Sequence, residues 1–294
     1  MPVTFLLTLT KNLLKTVMKK IAFGIFMLSA LLIGSVSHGQ LTPEDDGIIV
    51  DQDKHYHHNQ VFPYPYLREA DMMWSTRHWE RIDLRQKVNH HLYYPVQPIP
   101  DRKSLYDVLV DGILTEGTIV EVFGDYRFEI PLTPEQVQGY TASIDTTFDP
   151  DDRSIILLID TIKVTAKDVI SYEVKSDWFF DKQRGEMKNR IIGLSPRVKH
   201  PKTGDEYNLF WVWFPDARYA LATHVAFNNQ NNSSRLTFDQ VFHLRQFNST
   251  IYKEDNVYDR QISEYKQNAP LEQLLEAEQI KEGLRNFEHD LWEY

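Results

Sequence analysis

Beyond residue 100, apolar and polar positions recur with helix and strand periods. Leu105, Val108, Leu109, Gly112 and Ile113 share one helical face. Ser104 and Asp107 form a capping pair ahead of them, and Gly117 supplies a stop. Two short runs, 118–123 and 126–130, joined by Gly124-Asp125, predict a tight hairpin, because glycine accepts the positive φ of such turns. Thr133-Pro134-Glu135-Gln136 reads as another helix start.

Strand patterns follow. Residues 154–159 are an apolar run of strand length, and 169–174 alternate as a half-buried strand does. The runs 190–198 and 207–214 flank Pro201-Lys202-Thr203-Gly204-Asp205 and predict a long hairpin. Helices are expected over 216–225 and from Thr237 through Gln246. Leu274, Ala277, Ile280, Leu284, Phe287 and Leu291 form the apolar seam of a C-terminal amphipathic helix. The fold class is therefore α+β, with antiparallel β-hairpins, interspersed helices and an extended N-terminal arm.

That arm occupies residues 40–100, ahead of a core domain at 101–294. It is acidic at first, then carries His55, His57 and His58, and Pro95, Pro98 and Pro100 close it. Within it only 67–88 has a helical pattern, with Met72, Met73, Trp79 and Trp74 as its contacts. Residues 18–39 read as a cleaved signal peptide. Lys19 and Lys20 precede an apolar run, and Ser37 and Gly39 set small residues before a cut between Gly39 and Gln40. Residues 1–17 read as upstream sequence from a start codon set too early. Cleavage removes four lysines and no acid, so the formal charge falls from −10 to −14.

Composition then narrows the chemistry. The absence of cysteine excludes disulfides, thiolate metal sites and thiol catalysis. Net acidity argues against nucleic acid as a partner, and no later apolar run is long enough for direct membrane insertion. No nucleophile elbow, zinc-protease helix, phosphate loop or dinucleotide fingerprint occurs, so no catalytic residue and no cofactor are expected. The one enzyme alternative is a metal site at His55, His57 and His58, but a Pro-flanked arm offers ligands little outer support. The adjacent pair His90 and His91 diverges and is a poor chelate.

Aromatic density is the unusual feature. Trp178-Phe179-Phe180 and Phe210-Trp211-Val212-Trp213-Phe214 put rings on both faces of their strands. Either the chain covers both faces or another subunit covers one. Trp74, Trp79, Trp178, Phe180, Trp211 and Trp213 are the interface candidates on this basis.

Several ordered motifs carry a family resemblance. The runs Lys175-Ser176-Asp177-Trp178-Phe179-Phe180-Asp181-Lys182, Arg190-Ile191-Ile192-Gly193-Leu194-Ser195-Pro196 and Leu209-Phe210-Trp211-Val212-Trp213-Phe214-Pro215 resemble the GldN/PorN family. So do the stretch 245–260, from Arg245-Gln246-Phe247 to Tyr258-Asp259-Arg260, and the ending Phe287-Glu288-His289-Asp290-Leu291-Trp292-Glu293-Tyr294. The resemblance implies a non-enzymatic periplasmic ring subunit of the type IX secretion and gliding machinery of Bacteroidetes. Its implied partners are a GldK/PorK-type outer-membrane lipoprotein and the periplasmic part of a GldM/PorM-type motor protein. It brings no catalytic residue with it.

Overall fold

The computed structural model describes residues 61, 63–99, 102–148, 156–199, 204–227, 236–267 and 269–291. The expected signal peptide, the cut at Gly39 and Gln40, and His55, His57 and His58 lie outside the described residues.

The described strands are β1 (Met72–Asp83), β2 (Val122–Phe123), β3 (Ala142–Phe148), β4 (Ile156–Lys163), β5 (Val169–Asp181), β6 (Glu186–Lys199), β7 (Glu206–Asn208), β8 (Trp211–Trp213) and β9 (Thr250–Glu254). Seven of them form one antiparallel sheet in the order β2-β8-β6-β5-β1-β9, with β7 on another part of β6. Strands β3 and β4 make a separate hairpin. The described helices are α1 (His90–Tyr93), α2 (Leu105–Leu114), α3 (Pro134–Thr141), α4 (Phe214–Thr223), α5 (Phe238–His243), α6 (Ile262–Tyr265) and α7 (Pro270–Asp290). The chain is thus α+β with a C-terminal helix, as its pattern predicts.

Local chemistry explains most boundaries. The Ser104 hydroxyl accepts the Asp107 amide at the start of α2, and Thr133 and Thr237 form full capping boxes with Gln136 and Gln240. The β5–β6 hairpin runs in register from Val169↔Val198 to Asp181↔Glu186 with two irregularities, and turns through Gly185 at φ 64°.

Register sorts side chains into two rows across the central strands. Val212, Leu194, Val174, Glu80 and Ile251 oppose one another on one face; Trp213, Gly193, Lys175, Trp79 and Lys253 do so on the other. The main core is built on the first face. There Ile82, Tyr172, Val174 and Leu194 cluster with Leu105, Leu109, Phe214, Leu221, Phe238 and Phe242 of α2, α4 and α5.

Three expectations change. Residues 72–83, read as helical, form β1, which pairs with β5 and β9 inside the sheet. Residues 72–83 of the stretch read as an arm therefore belong to the folded sheet. Residues 126–130 are not a strand. The Asp125 carboxylate accepts the amides of Arg127, Glu129 and Ile130 and closes a longer loop, from which Gly124 N–H reaches the Ile130 carbonyl. On α7, Ala277 is buried and Ile280 packs beside it, whereas Leu274, expected on the same seam, is exposed with Leu271 and Leu275.

Candidate assembly surfaces

The six candidate rings divide between the two faces of the sheet. Trp79, Trp211 and Trp213 share the face carrying Gly193 and Lys175, and the loop 124–130 lies over them. The Phe128 ring stands edge-on to Trp213 at 5.2 Å and to Trp211 at 6.3 Å, and Tyr126 stands edge-on to Trp79 at 6.1 Å. Lys175 donates to the Tyr126 carbonyl at 2.8 Å, with its ammonium 4.5 Å from the Phe128 centroid. Burial, then the charge of Arg77, pulls the Lys175 pKa down to about 8. Lys253, over the Trp79 ring, pairs with Asp259, which also binds Arg127 and the Tyr126 hydroxyl. Trp211 is 2% and Trp79 5% exposed, so these two rings serve the chain's own fold.

Trp74, Trp178 and Phe180 occupy the opposite face, toward α7. Trp74 pairs across strands with Phe180 and stacks on Phe287 of α7 at 4.7 Å. Trp178 lies beneath the Arg245 guanidinium, 5.0 Å away, with Phe247 at 5.1 Å. Arg245, held at φ 50°, donates to Glu80 at 2.6 Å and to the Asn189 side-chain carbonyl at 2.9 Å. Ser249 and Ser176 also donate to Glu80. Burial alone would raise the Glu80 pKa, but Arg245 and the hydroxyl donors outweigh it and hold the carboxyl below its ordinary value. Between this cluster and α7 runs a groove of about 290 Å³.

The residues that organise these places are mostly ones the pattern does not mark: Phe128, Lys175, Glu80 and Arg245. Tyr64 is another. It sits over Arg218 at 4.2 Å, and Arg218 makes a buried two-pronged ion pair with Asp239, while Arg190 donates to the Pro65 carbonyl. Among the described residues, no three histidine or acidic side chains converge as metal ligands, and no helix is long and apolar enough to cross a membrane.

A family model described as "Gliding motility associated protein GldN" matches residues 67–293. The chain belongs to the GldN family. The matched span opens ahead of β1 and closes beyond α7, so it contains both ring clusters and the groove. A GldN chain is a component of the gliding and type IX secretion machinery, in a family of structural parts not known as enzymes. No curated protein matches the chain.

Proposed function

We propose that this GldN chain is exported by the signal at 18–39, is cut between Gly39 and Gln40, and acts in the periplasm as a non-enzymatic ring subunit. In this reading a GldK/PorK-type lipoprotein holds it at the outer membrane, and the ring it builds there contacts a GldM/PorM-type motor protein. The family match over 67–293 carries the proposal.

Two physical considerations support it. A mature chain of charge −14 repels its own copies, so a ring needs a complementary second protein or extensive burial. Ring growth also requires two different patches per subunit. Exposed apolar side chains are spread along the described residues, and they include Val257 and Tyr258 as well as Leu271, Leu274 and Leu275 of α7. Of the six candidate rings, Trp74, Trp178 and Trp213 keep partial exposure for a partner, while Trp79, Phe180 and Trp211 hold the subunit together.

The test is co-expression of residues 40–294 with the lipoprotein, then affinity purification and negative-stain microscopy. Rings or arcs containing both proteins are expected. A stable monomer that never captures the lipoprotein would overturn the assembly.

A further inference from the structure

The groove between α7 and the 245–251 segment has the makings of a specific site. Its walls are apolar, from Trp178, Met187, Phe247, Ile251 and Leu284. Its rim is cationic: Lys281 and Arg285 stand one turn apart on the α7 face that lines it. Lys281 spends one N–H on the Ser249 carbonyl. Arg285 has no partner among the described residues. Two carboxylates also line the groove. Glu80 is neutralised by Arg245, and Glu288 pairs with neither rim cation, which leaves a net charge of one positive unit inside an acidic chain.

A second observation points to a missing acceptor. The Trp178 indole N–H is buried and meets no hydrogen-bond acceptor among the described residues. A buried donor left unmade costs about 1–3 kcal/mol, so a backbone carbonyl of an occupant, distinct from any carboxylate at the rim, would be stabilised there. A cavity this small, near the low end of ligand sites, suits a single anchoring side chain.

We propose that this groove is an anchor pocket for an acidic segment of a partner protein: an aromatic side chain enters between Trp178, Phe247 and Leu284, and a neighbouring carboxylate lands on Lys281 and Arg285. This deepens the assembly reading and rests on it for the partner, but the binding chemistry belongs to the single chain. Charge complementarity selects the occupant, because a basic segment would meet two cations at the rim.

The experiment titrates residues 40–294 with acetyl-Asp-Phe amide and, separately, with neutral acetyl-Asn-Phe amide, following the Trp178 indole N–H by NMR. The acidic peptide is expected to shift that signal and to bind about tenfold more tightly than the neutral one, the value of a charge-assisted contact. Arg285→Ala should erase the difference, and Arg285→Lys should restore part of it. Arg285 is exposed, so its substitution should leave the fold intact, which circular dichroism checks. Equal binding of the two peptides, an unmoved indole signal, or an Arg285→Ala variant that binds as the parent does would overturn the proposal. Self-association of the chain that Arg285→Ala abolishes would overturn it in favour of a second copy as occupant. Ring formation with the lipoprotein is scored separately, so failure of the pocket leaves the assembly result standing, and the reverse.

Discussion

Phe128 occupies the space that a side chain at Gly193 would need. A Cβ built on Gly193 would lie 2.5 Å from Phe128 Cζ and 3.3 Å from Trp211 Cε3. The glycine is required here for room, since it interrupts a row of large side chains between Trp213 and Lys175. Through that gap the loop 124–130 reaches the sheet and closes one aromatic face.

Gly193→Ala should therefore expel the Phe128 ring and destabilise the protein by about 1–3 kcal/mol, the usual range for overpacking. The midpoint of urea unfolding measures it. Phe128→Ala removes the clash, so Gly193→Ala should cost much less in that background. A single Gly193→Ala variant with the parent's midpoint would mean that the ring does not sit there in solution.

Glu80 makes the fold acid-sensitive. Its folded carboxyl lies below the ordinary value of 4.5, so the unfolded state binds the proton first. The stability it contributes is complete above pH 4.5 and is lost as pH falls through the folded value. Glu80→Gln should cost about 1.5–3 kcal/mol at neutral pH, where it leaves Arg245 without its carboxylate. The same variant should lose less stability than the parent on acidification. Thermal unfolding of both between pH 7 and the acid limit decides it, and parallel profiles would remove Glu80 from the account.

Helix starts were legible because they are local. Ser104, Thr133 and Thr237 each find their partner amide three residues ahead, and each begins a helix as expected. Strand β1 was not legible, because Met72, Met73, Trp74 and Trp79 fall on both parities and hide a period of two. Its conformation is set by strands about a hundred or more residues away, as Trp79 opposes Lys175 on one side and Lys253 on the other. The α7 groove is assembled the same way, from Glu80, Trp178, Arg245 and Lys281, which no window of sequence brings together. The ring clusters were visible as composition, but their division between two faces required the register.

Lys175 gives the opposite pH signature to Glu80. With its folded pKa at about 8 against 10.5 unfolded, the unfolded chain holds the extra proton between those values, so stability from this group rises with pH across that window. Lys175→Met removes the rise. The melting temperature of the parent relative to this variant should climb from pH 7.5 to 10.5 and level off beyond it. A constant difference would place the lysine in ordinary solvent contact, outside the Phe128 and Tyr126 enclosure.

The buried pair of Arg218 and Asp239 ties α4 to α5 beneath Tyr64. Arg218 donates from Nε to Asp239 at 2.7 Å and from Nη2 at 3.1 Å, with both residues under 5% exposed. Arg218→Met leaves a carboxylate in the core with its main partner gone, and should cost about 3–5 kcal/mol. Changing both, as Arg218→Met with Asp239→Leu, should recover most of that loss, since the desolvation of two charges disappears with their attraction. The single variant should also release the 63–65 segment, because Tyr64 rests on the guanidinium. Limited proteolysis ahead of β1 should then become faster in Arg218→Met while the sheet stays resistant. If cleavage there is unchanged, the Tyr64 contact does not hold the segment, and the ion pair serves α4 and α5 alone.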